Sequence, residues 1–260
     1  MESTGVYWIP VYELLEERGF DVILVNAREA KNVPGRKTDI NDAQWLQRLH
    51  SYGLLRGSFR PTQELASLRA LLRQRERLLE YCASHIQHMQ KALMEMNLPL
   101  HHVVSDITGR TGMRILRAIV QGQHDSAVLA SFRDPRCKAS EETIRQSLEG
   151  HYREEHLLTL RQSLALYDTY HEHVAECDQL IEATLKRLSL ATPAPEGSLP
   201  DARHRDANPN APAFDVRHSL FQVLGIDLTQ IHGLGPYLVL KLISECGTDM
   251  SRWPTVKHFT

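Results

Sequence analysis

The chain has 260 residues, a formal net charge of −2 and 24% charged residues, which is an ordinary composition for a globular protein. The near-neutral charge excludes nucleic-acid binding through bulk charge, so any such contact requires local basic patches. No run of about 18 apolar residues is present, so no membrane span is expected. The cysteines lack CxxC spacing and favour reduced thiols, and we expect a cytoplasmic protein.

The first sixty residues predict a helix, a strand and a second helix. Residues 6–17 carry apolar side chains at helical spacing, and Gly19 is a natural stop for that helix. The apolar run over residues 21–26 is typical of a buried strand, whereas residues 3–5 read as a turn. The order indicates an α/β arrangement in which helices pack on strands.

The second helix begins with a pair of acidic residues. Asp39 and Asp42 are three apart, so their carboxylates project from neighbouring positions and repel each other. A hard cation such as Mg²⁺ relieves that repulsion. Arg36 and Lys37 precede them and can neutralise phosphates, which together predicts a metal-dependent phosphodiester site. The alternative is that the two Asp only complement the helix dipole.

Two long helical patterns follow, separated by shorter ones. Residues 106–121 predict one short helix, and residues 129–150 predict two. In each of the two long patterns, apolar residues spaced by three and four positions form a seam along a helix. Two long helices with such seams form an antiparallel arm or a dimerising coil. The first seam consists of Leu65, Leu68, Leu72, Arg75, Leu79, Cys82, Ile86, Met89, Leu93 and Met96. The second, interrupted by His171 and Asp178, consists of Leu157, Leu160, Leu164, Tyr167, Val174, Ile181, Leu185 and Leu188.

Two further features are candidates for nucleic-acid binding. Arg69, Arg73 and Arg77 are four apart and form a basic stripe, which can track a phosphate backbone or be only a solvated face. Gly233 and Gly235 precede an apolar helix and resemble a helix–hairpin–helix element, in which glycines let backbone N–H groups approach a phosphate. The alternative for the glycines is a tight turn.

Several separated motifs carry a family resemblance that covers essentially the whole chain. They are residues 1–8 (MESTGVYW), 24–46 (LVNAREAKNVPGRKTDINDAQWL), 105–112 (SDITGRTG) and 231–235 (IHGLG). In this order they resemble the DEDD-type transposases of insertion-sequence family 110.

The resemblance implies a fold and a set of domains. We expect a fold that is α/β plus mostly α: a partial RuvC-like, RNase H-type domain, a long helical coiled-coil arm and the start of a C-terminal helical transposase domain. The corresponding ranges are 1–60 for the RuvC-like part, 61–191 for the coiled-coil region with inserted short helices, 192–216 for a proline-rich disordered linker and 217–260 for the transposase part.

The resemblance also implies a function. Glu2, Asp39 and Asp42 correspond to the second, third and fourth acidic residues of a catalytic Mg²⁺ site. The partners would be DNA, a structured guide RNA and further copies of the chain. The activity would be cleavage and rejoining of element DNA through a serine nucleophile in the C-terminal domain.

The first acidic residue of the family is expected before Met1 and the serine after Thr260, so we expect the 260 residues alone to be an inactive fragment. Two other functions remain open. One is a noncatalytic nucleic-acid-binding or assembly remnant, and the other is a RuvC-type metal nuclease.

Overall fold

The structure, a computed structural model, divides into two units, Met1–Thr62 and Gln63–Thr260. Among the residues it describes, no helix is long and apolar enough to cross a membrane. The described residues are 1–3, 5–28, 39–203, 208–249, 251, 253 and 255, with the backbone alone for 39–42.

The first unit contains a short parallel pair of strands. Glu2 pairs with Val25, and a helix connects the two strands, as parallel pairing requires. In chain order the elements are β1 (Glu2–Ser3), α1 (Trp8–Glu17), β2 (Val25–Asn26) and α2 (Asp39–Ser51). Ser3 therefore lies in a strand, whereas we predicted a turn there. The prediction is wrong because two residues are too few to show the alternating pattern of a strand. The strand predicted over 21–26 is confined to β2. The RuvC-like fold stays a prediction.

The second unit is built on two long helices, α3 (Gln63–Glu95) and, after the short helices described next, α8 (Glu154–Leu190). They run antiparallel, since Arg75 contacts Asp178 while Glu95 lies 3.1 Å from His156. The buried face of α3 follows most of the predicted seam, except that Leu78 is buried while Leu79 and Ile86 are only partly buried. Its partner is α8 of the same chain. The structure thus shows the antiparallel arm. Coiled-coil geometry and homo-oligomers stay predictions, because the seam is already covered within one chain.

Short helices fill the chain between the two long ones. Their apolar faces close one core with the adjoining ends of α3 and α8, in which Leu93, Ile115 and Leu160 are fully buried. These helices are α4 (Leu100–Val103), α5 (Arg110–Val120), α6 (Ser126–Ser131) and α7 (Glu141–Gln146). The helix predicted within 106–121 is therefore present as α5. Of the two predicted within 129–150, α7 lies inside that range, whereas α6 begins before it, at Ser126.

The last elements pack against the opposite ends of the long helices. Leu220 and Leu240 share a core with Leu68 and Ile181. The elements are α9 (Val216–Leu224), a 3₁₀ turn (Leu228–Gln230) and α10 (Pro236–Cys246). The domain boundaries predicted at 191 and 217 stay a prediction.

The predicted disordered linker, 192–216, is fixed by hydrogen bonds near its end. The carbonyl of Asn210 accepts a hydrogen bond from Arg75 at 2.8 Å, and the Ala213 N–H donates one to Asp178 at 3.1 Å. Proline-rich composition indicated disorder, but two buried side chains of the long helices bind this backbone. The expectation is corrected for this part of the linker.

Candidate metal and nucleic-acid site

The predicted acidic set lies in the first unit, on β1 and α2. Glu2 is half-buried in β1, and α2 begins at Asp39. The side chains of Asp39 and Asp42 lie outside the described part. Arg36 and Lys37 lie outside the described residues altogether. Within the described residues, no group of three His, Cys, Asp or Glu side chains is placed to hold a metal ion.

A cavity of about 380 Å³ is lined by residues that neighbour the acidic set in sequence. Met1, which directly precedes Glu2, lines this cavity, and so do Ala43 and Leu46 of α2. Ala43 and Leu46 each follow an acidic residue by four positions, about one helical turn. The start of β1 and the turn that follows the acidic pair thus border the same cavity.

The glycines before α10, Gly233 and Gly235, form a turn that borders a cavity. Gly233 has a φ of +88°, a left-handed conformation that favours glycine, and Gly235 is the N-cap of α10 without a side-chain capping bond. A cavity of about 280 Å³ is lined by residues 231–236 together with Arg203 and Arg217. The backbone is therefore accessible at the predicted helix–hairpin–helix turn.

Arg217, which lines that cavity, forms an ion pair with an acidic residue. Its Nη2 donates to Oδ2 of Asp227 at 2.6 Å. Burial acts to raise the pKa of Asp227, but hydrogen bonds from Arg217, Thr229 and Gln230 outweigh it and hold that pKa well below its usual range. The Asp227 carboxylate therefore stays ionised, and Arg217 is a structural cation more than a free phosphate ligand.

The predicted basic stripe on α3 meets α10. Arg69 donates to the carbonyl oxygens of Ser244 and Glu245, at 3.1 and 2.8 Å, near the C-terminal end of that helix. Arg73 binds both carboxylate oxygens of Glu245 at 2.9 Å. Arg77 donates to Gln74 on its own helix. Two of the three arginines are thus compensated by a residue far away in sequence, and phosphate binding by this stripe stays a prediction.

The chain was compared with known proteins and families. A family model described as "Transposase", that of the DEDD transposases of the IS110 type, matches residues 1–98. Over these residues, called here the transposase segment, the chain is similar to the DEDD transposase family. No curated protein and no solved structure matches the chain.

The transposase segment contains all of unit 1 and α3, so it includes every predicted acidic residue and the predicted basic stripe. The match confirms, over residues 1–98, the resemblance that the motifs suggested, and a transposase family implies DNA as a partner. The family is usually dependent on a divalent metal.

Sequence reasoning missed one arginine-rich surface beyond the transposase segment. Arg110, Arg114 and Arg117 lie on α5, and all three are exposed. Their spacing of four and three was visible in the sequence, on a helix that contains no acidic residue. That spacing was the available signal.

Proposed function

We propose that the protein takes part in DNA cleavage and rejoining during transposition, with Glu2, Asp39 and Asp42 contributing to a Mg²⁺ site. The observation that carries this proposal is the cavity lined by Met1, which precedes Glu2 in sequence, and by Ala43 and Leu46 of α2, which follow the acidic pair by one helical turn. The family match over the same residues supports it.

The chemistry of these three residues suits a divalent cation. Carboxylate oxygens are the ligands that Mg²⁺ prefers, and two of the carboxylates stand one helical turn apart. A bound Mg²⁺ would neutralise charge on the scissile phosphate and orient it. Arg36 and Lys37, next to α2 in sequence, would bind the flanking phosphates. No serine of this chain is assigned as the nucleophile that the resemblance implies.

Further nucleic-acid contacts are proposed in the second unit. Gly233 and Gly235 offer an uncapped helix start beside a cavity, where backbone N–H groups can meet a phosphate. In the predicted basic stripe, Arg69 and Arg73 bind Glu245, whereas Arg77 donates a hydrogen bond to Gln74 on its own helix. Arg77 is therefore the arginine of the stripe that we propose for phosphate binding. A guide RNA and a homo-oligomer belong to the proposal through the resemblance alone.

A strand-transfer assay tests the proposed function. It uses element-end DNA, matching RNA and Mg²⁺, with the 260-residue chain and a version extended at both ends. Asp39→Asn with Asp42→Asn should abolish the products. Glu172→Gln with Glu176→Gln, a matched pair of exposed acids on α8, should leave them unchanged. Equal products from the Asp39/Asp42 variant would contradict the proposal. Products from the 260-residue chain would show that the expected inactivity of the fragment is wrong.

A further inference from the structure

The outer face of α5 has the character of a nucleic-acid contact surface. We propose that this face, formed by Arg110, Arg114 and Arg117 and called here the α5 arginine face, docks on the phosphate backbone of duplex DNA. The choice of DNA rests on the proposed function, since the family implies DNA as the partner. The surface itself is defined by the geometry of the second unit.

The helix has one apolar and one basic side. Thr111, Gly112, Ile115, Leu116 and Ile119 are buried on the inner side. Arginines at positions 110, 114 and 117 recur at the helical period, so they share the outer side. The three guanidinium groups are therefore collected on one exposed surface by the same periodicity that buries the core of the helix.

The orientation of α5 is fixed by close backbone packing. A Cβ atom at Gly112 would lie 2.1 Å from the carbonyl oxygen of Ile107, which leaves no space for any other residue. The Thr111 hydroxyl also accepts a hydrogen bond from the Asp134 N–H at 3.0 Å. The helix cannot rotate to exchange its faces, so the arginines are held outward.

Two carboxylates from other elements position the outer arginines. Asp134, only 8% exposed, lies 3.1 Å from Arg110 and 3.5 Å from Arg136. Asp168 of α8 binds Arg117 at 2.9 Å. The arginine side chains nevertheless stay open to solvent, at 60% for Arg110 and 54% for Arg117. They are pre-positioned, which reduces the entropy lost when a phosphate binds.

The surface keeps an excess of positive charge. A backbone N–H bond from Arg136 and the nearby guanidinium groups lower the pKa of Asp134, so this carboxylate is ionised at neutral pH. Even so, the four arginines of the region, Arg110, Arg114, Arg117 and Arg136, outnumber the three carboxylates beside them, those of Asp106, Asp134 and Asp168. Arg114 lies in the middle and has no ion pair among the described residues.

The dimensions suit a phosphate backbone. Seven residues separate Arg110 from Arg117, which is roughly 10 Å along a helix axis. That length corresponds to about three base-pair steps along the axis of a DNA duplex, where each strand carries one phosphate per 3.4 Å of axis. Guanidinium groups bind phosphate oxygens in a bidentate manner, which a point charge cannot do. A row of arginines of this length can thus follow consecutive phosphates.

Fluorescence anisotropy with a labelled DNA duplex of mixed sequence tests the inference at several salt concentrations. The variants are Arg114→Gln, Arg114→Lys and the triple change of Arg110, Arg114 and Arg117 to Gln. The slope of log K against log [salt] should decrease in magnitude by about 0.9 for Arg114→Gln and by about 2.7 for the triple variant. Arg114→Lys should keep the slope. Lys186→Glu, at an exposed position of α8, is the control for charge alone.

The outcomes separate the inference from the proposed function. Unchanged DNA affinity and salt slope in the α5 variants would overturn the inference and leave the proposed function standing. An effect confined to an RNA duplex of the same sequence would overturn the choice of DNA. A wild-type chain that binds no duplex would also overturn the inference, while the Asp39/Asp42 strand-transfer assay reports separately on the proposed function. Circular dichroism of each variant confirms that the helices are retained.

Discussion

Arg75 of α3 donates a hydrogen bond from Nε to Oδ1 of Asp178 on α8 at 2.6 Å, and both side chains are almost fully buried. Each also binds the segment that precedes α9: Arg75 donates to the Asn210 carbonyl, and Asp178 accepts from the Ala213 N–H. The pair therefore joins three parts of the second unit. Because neither charge reaches water, each depends on the other for compensation.

Removing one partner of this pair should destabilise the protein strongly. Arg75→Met or Asp178→Leu alone is expected to lower the free energy of unfolding by about 3–5 kcal/mol, because a buried charge loses its counterion. The double variant should lose less than the sum of the two. Urea denaturation of all four proteins measures the coupling. Arg73→Met, at a half-exposed ion pair with Glu245, is the control and should cost about 0–1 kcal/mol. Additive effects would show that the pair is not coupled.

This pair also shows how far the sequence could be interpreted. Arg75 interrupts the first apolar seam and Asp178 interrupts the second, so both polar positions were visible. Their pairing was not, because the register of two antiparallel helices is set by tertiary packing and not by the period of either one. For the same reason, the sequence did not show that Glu245 binds the predicted stripe, since Arg69 and Glu245 are 176 positions apart.

The short strands and the acidic site are further features that the sequence alone could not fully predict. Strand β1 spans two residues, too short for an alternating pattern, so its pairing with Val25 depends on contacts that the sequence does not encode locally. The acidic pair was recognised by spacing and resemblance together. Spacing alone left helix-dipole complementation open, and only the resemblance added Glu2, which is 37 residues from Asp39 in sequence.

The acidic pair predicts a specific metal-binding defect. Asp39→Ala with Asp42→Ala should abolish binding of Mg²⁺ or Mn²⁺ and leave the fold intact. Losing two favourable charges from a helix start should lower the free energy of unfolding by only about 1 kcal/mol. Isothermal titration calorimetry measures the metal, and thermal denaturation measures the fold. An unchanged metal affinity in the double variant would contradict the proposed site.

Gly112 should be a position where one methyl group is not tolerated. Its Cβ would meet the Ile107 carbonyl oxygen at 2.1 Å, so Gly112→Ala must displace backbone and should cost at least about 1–3 kcal/mol. Gly235→Ala is the matched control, since no atom of the described residues lies within 4 Å of a Cβ at this position and its φ is −77°. Denaturant unfolding compares the two. Equal stability of both variants would show that α5 is not fixed by this contact.

Two histidines predict a loss of stability on mild acidification. The Nδ1 atoms of His85 and His101 are buried and have no hydrogen-bond partner among the described residues. Burial, together with the neighbouring His88 and His102 charges, lowers the pKa of each imidazole below 6.5. The unfolded chain then binds these protons more readily than the folded chain. Their contribution is therefore fully present above pH 6.5 and is lost as the pH falls through the folded pKa values.

The test of this pH dependence is a comparison of unfolding free energies between about pH 7.5 and about pH 5.5. His85→Gln with His101→Gln should flatten the decline of the free energy with falling pH, because the glutamines take up no proton. The control is His173→Gln, an exposed histidine of α8 that contacts Glu176. It should leave the decline produced by His85 and His101 in place. A double variant with the same decline as the wild-type chain would assign the acid sensitivity to other groups.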